Sequence, residues 1–432
     1  MIRQLIAHLY RFRRLRKDHR RGTVEPSRTA IGSQTQPSST LSAGRRPVLP
    51  ALSLVLAAFV ATACSDAPTG QPAPASRATG NGASGDPSTL QWNSQALSLA
   101  AKYLLRPTPA NRAYMLLSVA EARALAALAN DVGAGSDADN GMSSRQAALG
   151  GAAVGVLTYL FPAEQTALEA MLASIRAGAP NPTHFAAAEA SGRAAAGLVV
   201  ADAQTDGSTA VVVPVVPVGP GYWVPGALIL TPQWPLVRPM LMASGSQFRP
   251  GPPPAFGSAE YLAALQRVRT FSDTRTPEQL AIVNFWYDPV SVGQHGGHWN
   301  RIAVDLILRH NLNDGQAVHV LESLNLALSD ASIACMDAKY MYWYVRPYQA
   351  DPLITTPLGQ PGHPSYPSLH SCQGGAAVGV LEHEFPQDQA SLEAMSAEMD
   401  LSREWAGLHY WFDTKAGTEI GHHVADLANV PR

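Results

Sequence analysis

Three short stretches in the last third of this 432-residue chain carry the residue types that hold and attack a small oxyanion. In the first, Lys339 stands seven residues before Arg346, which Pro347 follows. On a continuous helix that spacing is almost two turns, so both cations are expected on one face, offset by about 20° and roughly 10 Å along the axis. Pro347 disfavours the helical conformation at Arg346 and is expected to end the helix there. Tyr340, Met341, Tyr342, Trp343, Tyr344 and Val345 lie between the two cations, which predicts a buried segment, and a buried cation needs an anion to compensate it. The second stretch is Pro367-Ser368-Leu369-His370, leading through Ser371, Cys372, Gln373, Gly374 and Gly375 into an apolar run. A helix starting there presents free N–H groups and its positive dipole end to an anion. Ser368 adds a hydroxyl, and His370 can act as acid or base near neutral pH; taken alone, the serine is an ordinary N-cap. The third stretch is Ser402-Arg403, then His409 and Asp413. Four residues apart on a helix, His409 and Asp413 share a face, where Asp413 accepts the Nδ1 proton and leaves Nε2 free as nucleophile or ligand. Arg403 contributes a third cation with a planar fork suited to oxyanion edges.

Together the stretches resemble the signature of the phosphatidic acid phosphatase type 2 and vanadium haloperoxidase superfamily: Lys, six residues, Arg-Pro; then Pro-Ser-Gly-His; then Ser-Arg, five residues, His, three residues, Asp. Ten of its eleven letters stand here in order and at the required spacing. Gln91-Trp92-Asn93, Phe248-Arg249-Pro250, Arg275-Thr276-Pro277-Glu278-Gln279 and His298-Trp299-Asn300-Arg301 are similar to the soluble haloperoxidase-related branch, so the resemblance spans residues 90 to 428. It implies that Lys339, Arg346 and Arg403 neutralise the oxygens of vanadate or phosphate, with the Ser368 hydroxyl and the Leu369 amide. His409 would bond the central atom, as the vanadium ligand of a peroxidase or the phosphorus nucleophile of a phosphatase. Asp413 would orient His409, and His370 would protonate a leaving group or assist peroxide. One letter departs: the signature's glycine is Leu369, which keeps the N–H but does not readily take positive φ, and whose side chain is expected to add bulk beside the anion.

The elements that must position these groups read as all-α: two adjoining helical bundles of the vanadium haloperoxidase type. Alanine- and leucine-rich periodic stretches predict helices from Trp92 to near Pro107 and at 110–130, 143–160, 163–177 and 183–203. Residues 205–257, rich in Pro, Gly and Val, have no helical period and are expected to run irregularly over the surface, packed down by Tyr222 and Trp223. Helices are expected again at 258–270, 276–287, 298–310, 315–346, 373–385, 388–405 and 409–428. The domain division is therefore an amino-terminal bundle with the excursion, 91–257, and a carboxyl-terminal bundle carrying the site, 258–432. His295, His298 and His363 are read either as lining an entrance or as loop and core residues, and the adjacent pair His422 and His423 as helix packing.

Charged residues make up 15% of the chain and apolar ones 46%, with a net charge of −2, which gives no support for nucleic-acid binding. Arg45 and Arg46 precede an apolar run from Val48 to Ala63, too short for a confident membrane span. It ends at Ala61-Thr62-Ala63-Cys64, which resembles a lipobox, so Cys64 is the expected lipidation site of an exported, periplasmic or membrane-anchored lipoprotein. Residues 1–44 are a disordered or mis-assigned leader and 65–90 a flexible tether. Cys335 and Cys372 are read as two buried small side chains, with a disulfide as the alternative. The expected activity is vanadium-dependent oxidation of halide by hydrogen peroxide. The alternatives are a phosphomonoesterase working through a phosphohistidine, with phosphate occupying the place of vanadate, and a non-catalytic oxyanion-binding lipoprotein.

Overall fold

Alanine, leucine and glycine at helical spacing put most of the chain into helices that cross at short range. The computed structural model describes residues 86–130 and 138–430; the leader, the export segment with Cys64 and the tether up to residue 85 lie outside the described residues. The amino-terminal bundle contains α1 (Ser88–Lys102), α2 (Pro107–Asn130), α3 (Ala138–Leu160), α4 (Gln165–Ala177) and α5 (Pro182–Ala203). Its first helix begins inside the stretch read as tether. Helices α3 and α5 approach so closely that a Cβ on Gly192 would lie 2.0 Å from the Ala148 carbonyl oxygen, a distance only glycine permits.

The second bundle contains α6 (Ala259–Thr274), α7 (Pro277–Phe285), α8 (Gln294–Arg309), α9 (Asp314–Tyr342), the single turn α10 (Pro347–Ala350), α11 (Leu369–Glu384), α12 (Gln389–Trp405) and α13 (Trp411–Ala428). The starts of α7 and α9 are set by capping boxes, Thr276 with Gln279 and Asn313 with Gln316. In each, the cap side chain accepts from the N3 amide while the N3 side chain accepts from the cap amide. The 29-residue α9 serves both cores: Val318 and Leu326 pack into the amino-terminal cluster, while Val320, Leu321, Leu324 and Leu328 pack into the carboxyl-terminal one. The architecture is all-α, and among the described residues no β-strand forms and no helix is long and apolar enough to cross a membrane.

The excursion at 205–257 is irregular as expected, but the residues that hold it down are mostly others. Trp223, Trp234, Val237 and Met242 are buried, whereas Tyr222 is half exposed and makes an isolated bridge to Tyr344. The buried carboxylate of Asp330 accepts the amides of Met240, Leu241 and Met242 at 2.7–3.1 Å. Tyr342 and Tyr344 donate to the carbonyls of Pro250 and Pro254, both at 2.6 Å, and Tyr366 to that of Gly251 at 2.9 Å. The excursion is thus bolted to the segment that leads into Arg346.

The cysteines correct the preferred reading. Cys335 of α9 and Cys372 of α11 form a disulfide, with Cα atoms 6.3 Å apart. The two helices pack side by side, and both positions face the carboxyl-terminal core.

Candidate active site

Lys339 lies in the last turn of α9, where its fully buried ammonium donates to the carbonyls of Pro364 and Ser365 at 2.8 and 2.9 Å. Arg346 is not on that helix. Trp343 takes the left-handed conformation (φ 51°) and closes α9 through its amide to the Lys339 carbonyl, the αL form of helix ending. Pro347 then holds Arg346 extended, at ψ 151°. The two cations therefore meet because the chain turns back, and not because they share a face seven residues apart on one helix. Arg346 is fully buried; its Nη1 donates to the Leu408 carbonyl and to His409 Nε2, each at 2.9 Å, and its Nη2 to His363 Nδ1 at 3.1 Å.

His409 also lies outside its helix, since α13 starts at Trp411. The pairing with Asp413 nonetheless forms, Nδ1 to Oδ2 at 2.9 Å, because Asp413 is the N3 residue and its carboxylate reaches back past the helix start to the Tyr410 amide. Ser365 donates to the same oxygen at 2.5 Å. An acceptor on one side and a guanidinium on the other assign the ring: the proton sits on Nδ1 and the lone pair on Nε2. Burial, then Arg346 and Lys339, push the pKa of His409 well below its ordinary value, so the imidazole is neutral. Burial raises Asp413 to about 6 against the opposing pull of Ser365, Lys339 and Arg346.

The start of α11 closes the site. Ser368 is the N-cap, its hydroxyl accepting from the Ser371 amide and its own amide donating to the Asp413 carbonyl at 2.9 Å. A Cβ on Gly417 of α13 would lie 2.6 Å from the Ser368 carbonyl oxygen, so the approach of the two helices depends on that glycine. Leu369 departs from expectation. It takes the first helical position, has no positive φ, and buries its side chain in the carboxyl-terminal core. The leucine therefore needs no left-handed backbone and its bulk is taken up by the core. Its amide and that of His370 have no acceptor within the helix.

Arg403, in the last turn of α12, is fully buried; it donates to the Val283 carbonyl at 3.2 Å and approaches His370 Nε2 at 3.3 Å. Burial lowers its pKa to about 10. His363 and His370 retain part of their surface at the rim, while Lys339, Arg346 and Arg403 are sealed beneath.

The structure links Lys339, Arg346, Ser368, His409 and Asp413 through the segment at 363–368 and the start of α13, and it sets Arg403 against His370, one residue beyond Leu369 at the start of α11. One participant was unassigned, Ser365, which braces Asp413; two more had been left between an entrance and a loop or core role, His363, which holds Arg346, and His295 of α8, whose ring lies 3.4 Å, centroid to centroid, from that of His370. Ser365 and His363 carried a signal in their closeness to the Pro-Ser-Leu-His stretch, whereas His295, far upstream, had only its residue type to mark it. His298 bonds Asp288 at 2.9 Å, and Asp288 lies close enough to Arg403 to favour its charged form.

The donor set fits a small tetrahedral polyanion. Among the described residues none of the three buried cations forms an ion pair with a carboxylate, and the nearby Asp413 is already engaged by His409, Ser365 and Tyr410. Charges buried without a counter-charge each cost several kcal/mol, a cost that two or three negative charges on one ligand would offset.

No family model and no curated protein matches the chain. Solved structures do. A bacterial vanadium-dependent iodoperoxidase superposes with a TM-score of 0.68 at 23% identity, covering 79% of this chain and 95% of that one. A bacterial vanadium-dependent chloroperoxidase superposes at 0.63 in its holo form, with 15% identity and 76% and 92% coverage. Its apo form also gives 0.63, with 16% identity and 75% and 94% coverage. The chain shares its fold with these vanadium-dependent haloperoxidases.

Proposed function

We propose that this chain is a vanadium-dependent haloperoxidase-like enzyme that oxidises halide with hydrogen peroxide. The observation that carries the reading is a neutral histidine whose Nε2 lone pair meets the sealed Arg346, with buried Lys339 acting on the same ring and buried Arg403 reaching His370 beside it. Lys339, Arg346 and Arg403 would hold the oxygens of vanadate, with the Ser368 hydroxyl and the first amides of α11, and His409 Nε2 would bond its centre. Bound vanadate supplies a Lewis-acidic centre that activates peroxide toward a halide nucleophile. Asp413 keeps the proton on His409 Nδ1, so Nε2 stays available. His370 at the rim exchanges a proton with incoming peroxide through Nε2, which faces both an acceptor, the Trp286 carbonyl at 3.1 Å, and a donor, Arg403. Export with a lipid on Cys64 remains part of the proposal.

The test uses purified protein supplied with vanadate, peroxide and bromide or iodide, and separately with an aryl phosphate. Halogenation dependent on added vanadate is expected, and His409→Ala should lower it by about 10³-fold or more, the scale of losing a group that binds the reacting centre. Phosphate release that vanadate blocks would replace this reading with the phosphohistidine one. Phosphate binding with neither activity would leave an anion-binding protein.

A further inference from the structure

His295 belongs to no stretch that pointed to the site, yet the backbone around it is shaped to deliver it there. Gly293 and Gln294 are both left-handed, at φ 86° and 62°, and for glutamine that conformation costs about 1 kcal/mol or more. Tyr114 of α2 donates to the Gly293 carbonyl at 2.9 Å. A Cβ on Gly296 would lie 1.8 Å from Asn111 Oδ1, so the first turn of α8 is pressed directly against the amino-terminal bundle. The outcome is a buried imidazole, 7% exposed, laid across the ring of His370 at an interplanar angle of 37°, with its own Nδ1 lacking a hydrogen-bond partner among the described residues. Strained backbone and an unsatisfied buried nitrogen both oppose stability, so the contact calls for another explanation.

His370 explains it. Its Nε2 faces the Trp286 carbonyl at 3.1 Å and Arg403 Nη1 at 3.3 Å. The carbonyl suits the protonated nitrogen and the guanidinium suits the lone pair, so one ring orientation serves both protonation states. A small swing of the ring would lose one partner. We propose that His295 is a positioning residue: its ring is the wall that keeps His370 Nε2 within reach of both. This rests on the reading of His370 as the acid and base of the site.

Two variants test it: His295→Ala removes the wall, and His295→Phe keeps an aromatic face without nitrogens. In ¹⁵N-histidine-labelled protein, with the His370 signals assigned by their loss in His370→Asn, His295→Ala should shift the His370 nitrogens toward a mixture of tautomers. It should also lower kcat by about 10- to 100-fold, the scale of misplacing a reacting group by about 1 Å, with KM for peroxide and phosphate affinity nearly unchanged. His295→Phe should return both the spectrum and kcat close to wild type. Wild-type nitrogen shifts and kcat in His295→Ala, or His295→Phe as impaired as His295→Ala, would overturn the proposal. The spectra need no turnover, so a failure of the haloperoxidase reading, seen as wild-type protein without halogenation, is separable from a failure here.

Discussion

The two bundles bury ionisable groups in opposite ways. In the amino-terminal bundle the fully buried Glu121 of α2 accepts from Thr89 at 2.6 Å, and burial pushes its pKa to about 8, so it gives up its charge at neutral pH. At the far end of the other bundle, Arg346 and Arg403 keep their charges with no carboxylate in contact, and Lys339 is pushed well below its ordinary value by burial and by Arg346. A core built for packing neutralises what it buries or pairs it, as Arg112 of α2 is paired with Asp206 at 2.5 Å. A core that holds several cations together is arranged for a guest that brings the missing negative charge.

Replacing one of these cations should break that contrast most sharply. Lys339→Met should weaken phosphate or vanadate binding by about 10²- to 10³-fold, the scale of removing one partner of a buried charge pair. The ligand-free protein should at the same time melt at an unchanged or higher temperature. Calorimetry of phosphate binding beside thermal melts reads both, and a variant that binds normally but unfolds earlier would make the lysine a structural residue. Leu369→Ala should cost about 3 kcal/mol in denaturant unfolding without improving turnover, because the side chain is core. Turnover raised by the smaller residue would return Leu369 to the pocket.

Those two positions also show how much was legible. Helix content and the residues gathered at the candidate site followed from residue type and spacing, since alanine-rich periodicity and fixed motif intervals survive without knowledge of the fold. Geometry did not follow. The end of α9 is set by a tryptophan in a left-handed conformation, where a glycine would have announced it, so Arg346 looked helical. Leu369 looked obstructive because its helical φ and core contacts come from tertiary packing. His295 reaches His370 only through the pressing of α8 on α2, a long-range contact that no local pattern encodes.

Removing the Cys335–Cys372 bond, in a variant carrying both Cys335→Ser and Cys372→Ser, should cost about 4 kcal/mol for a loop of 37 residues. It should also weaken phosphate binding several-fold, because Lys339 and Ser368 each stand one turn from a cysteine. Chemical unfolding and calorimetry check this, and unchanged phosphate affinity would confine the bond to stability. An effect confined to higher pH belongs to Glu121. Its folded value of about 8 lies above its ordinary 4.5, so its contribution is fully present below pH 4.5. The contribution falls as pH rises toward 8, while the folded state holds a proton that the unfolded chain has released. Glu121→Gln should therefore match wild type at pH 4 and exceed it by about 4 kcal/mol at pH 8. Parallel stability–pH curves would mean that the acid is charged in the folded protein.

Because α9 threads both cores, its register is a shared ruler. One residue inserted between Leu326 and Cys335 would turn everything beyond it by about 100°. The alanine-rich contacts upstream would keep their phase, while the lysine at the helix end would be carried out of alignment with its two arginines. Any drift in this sequence must therefore preserve the length of that helix, even where the individual letters along it are free to change.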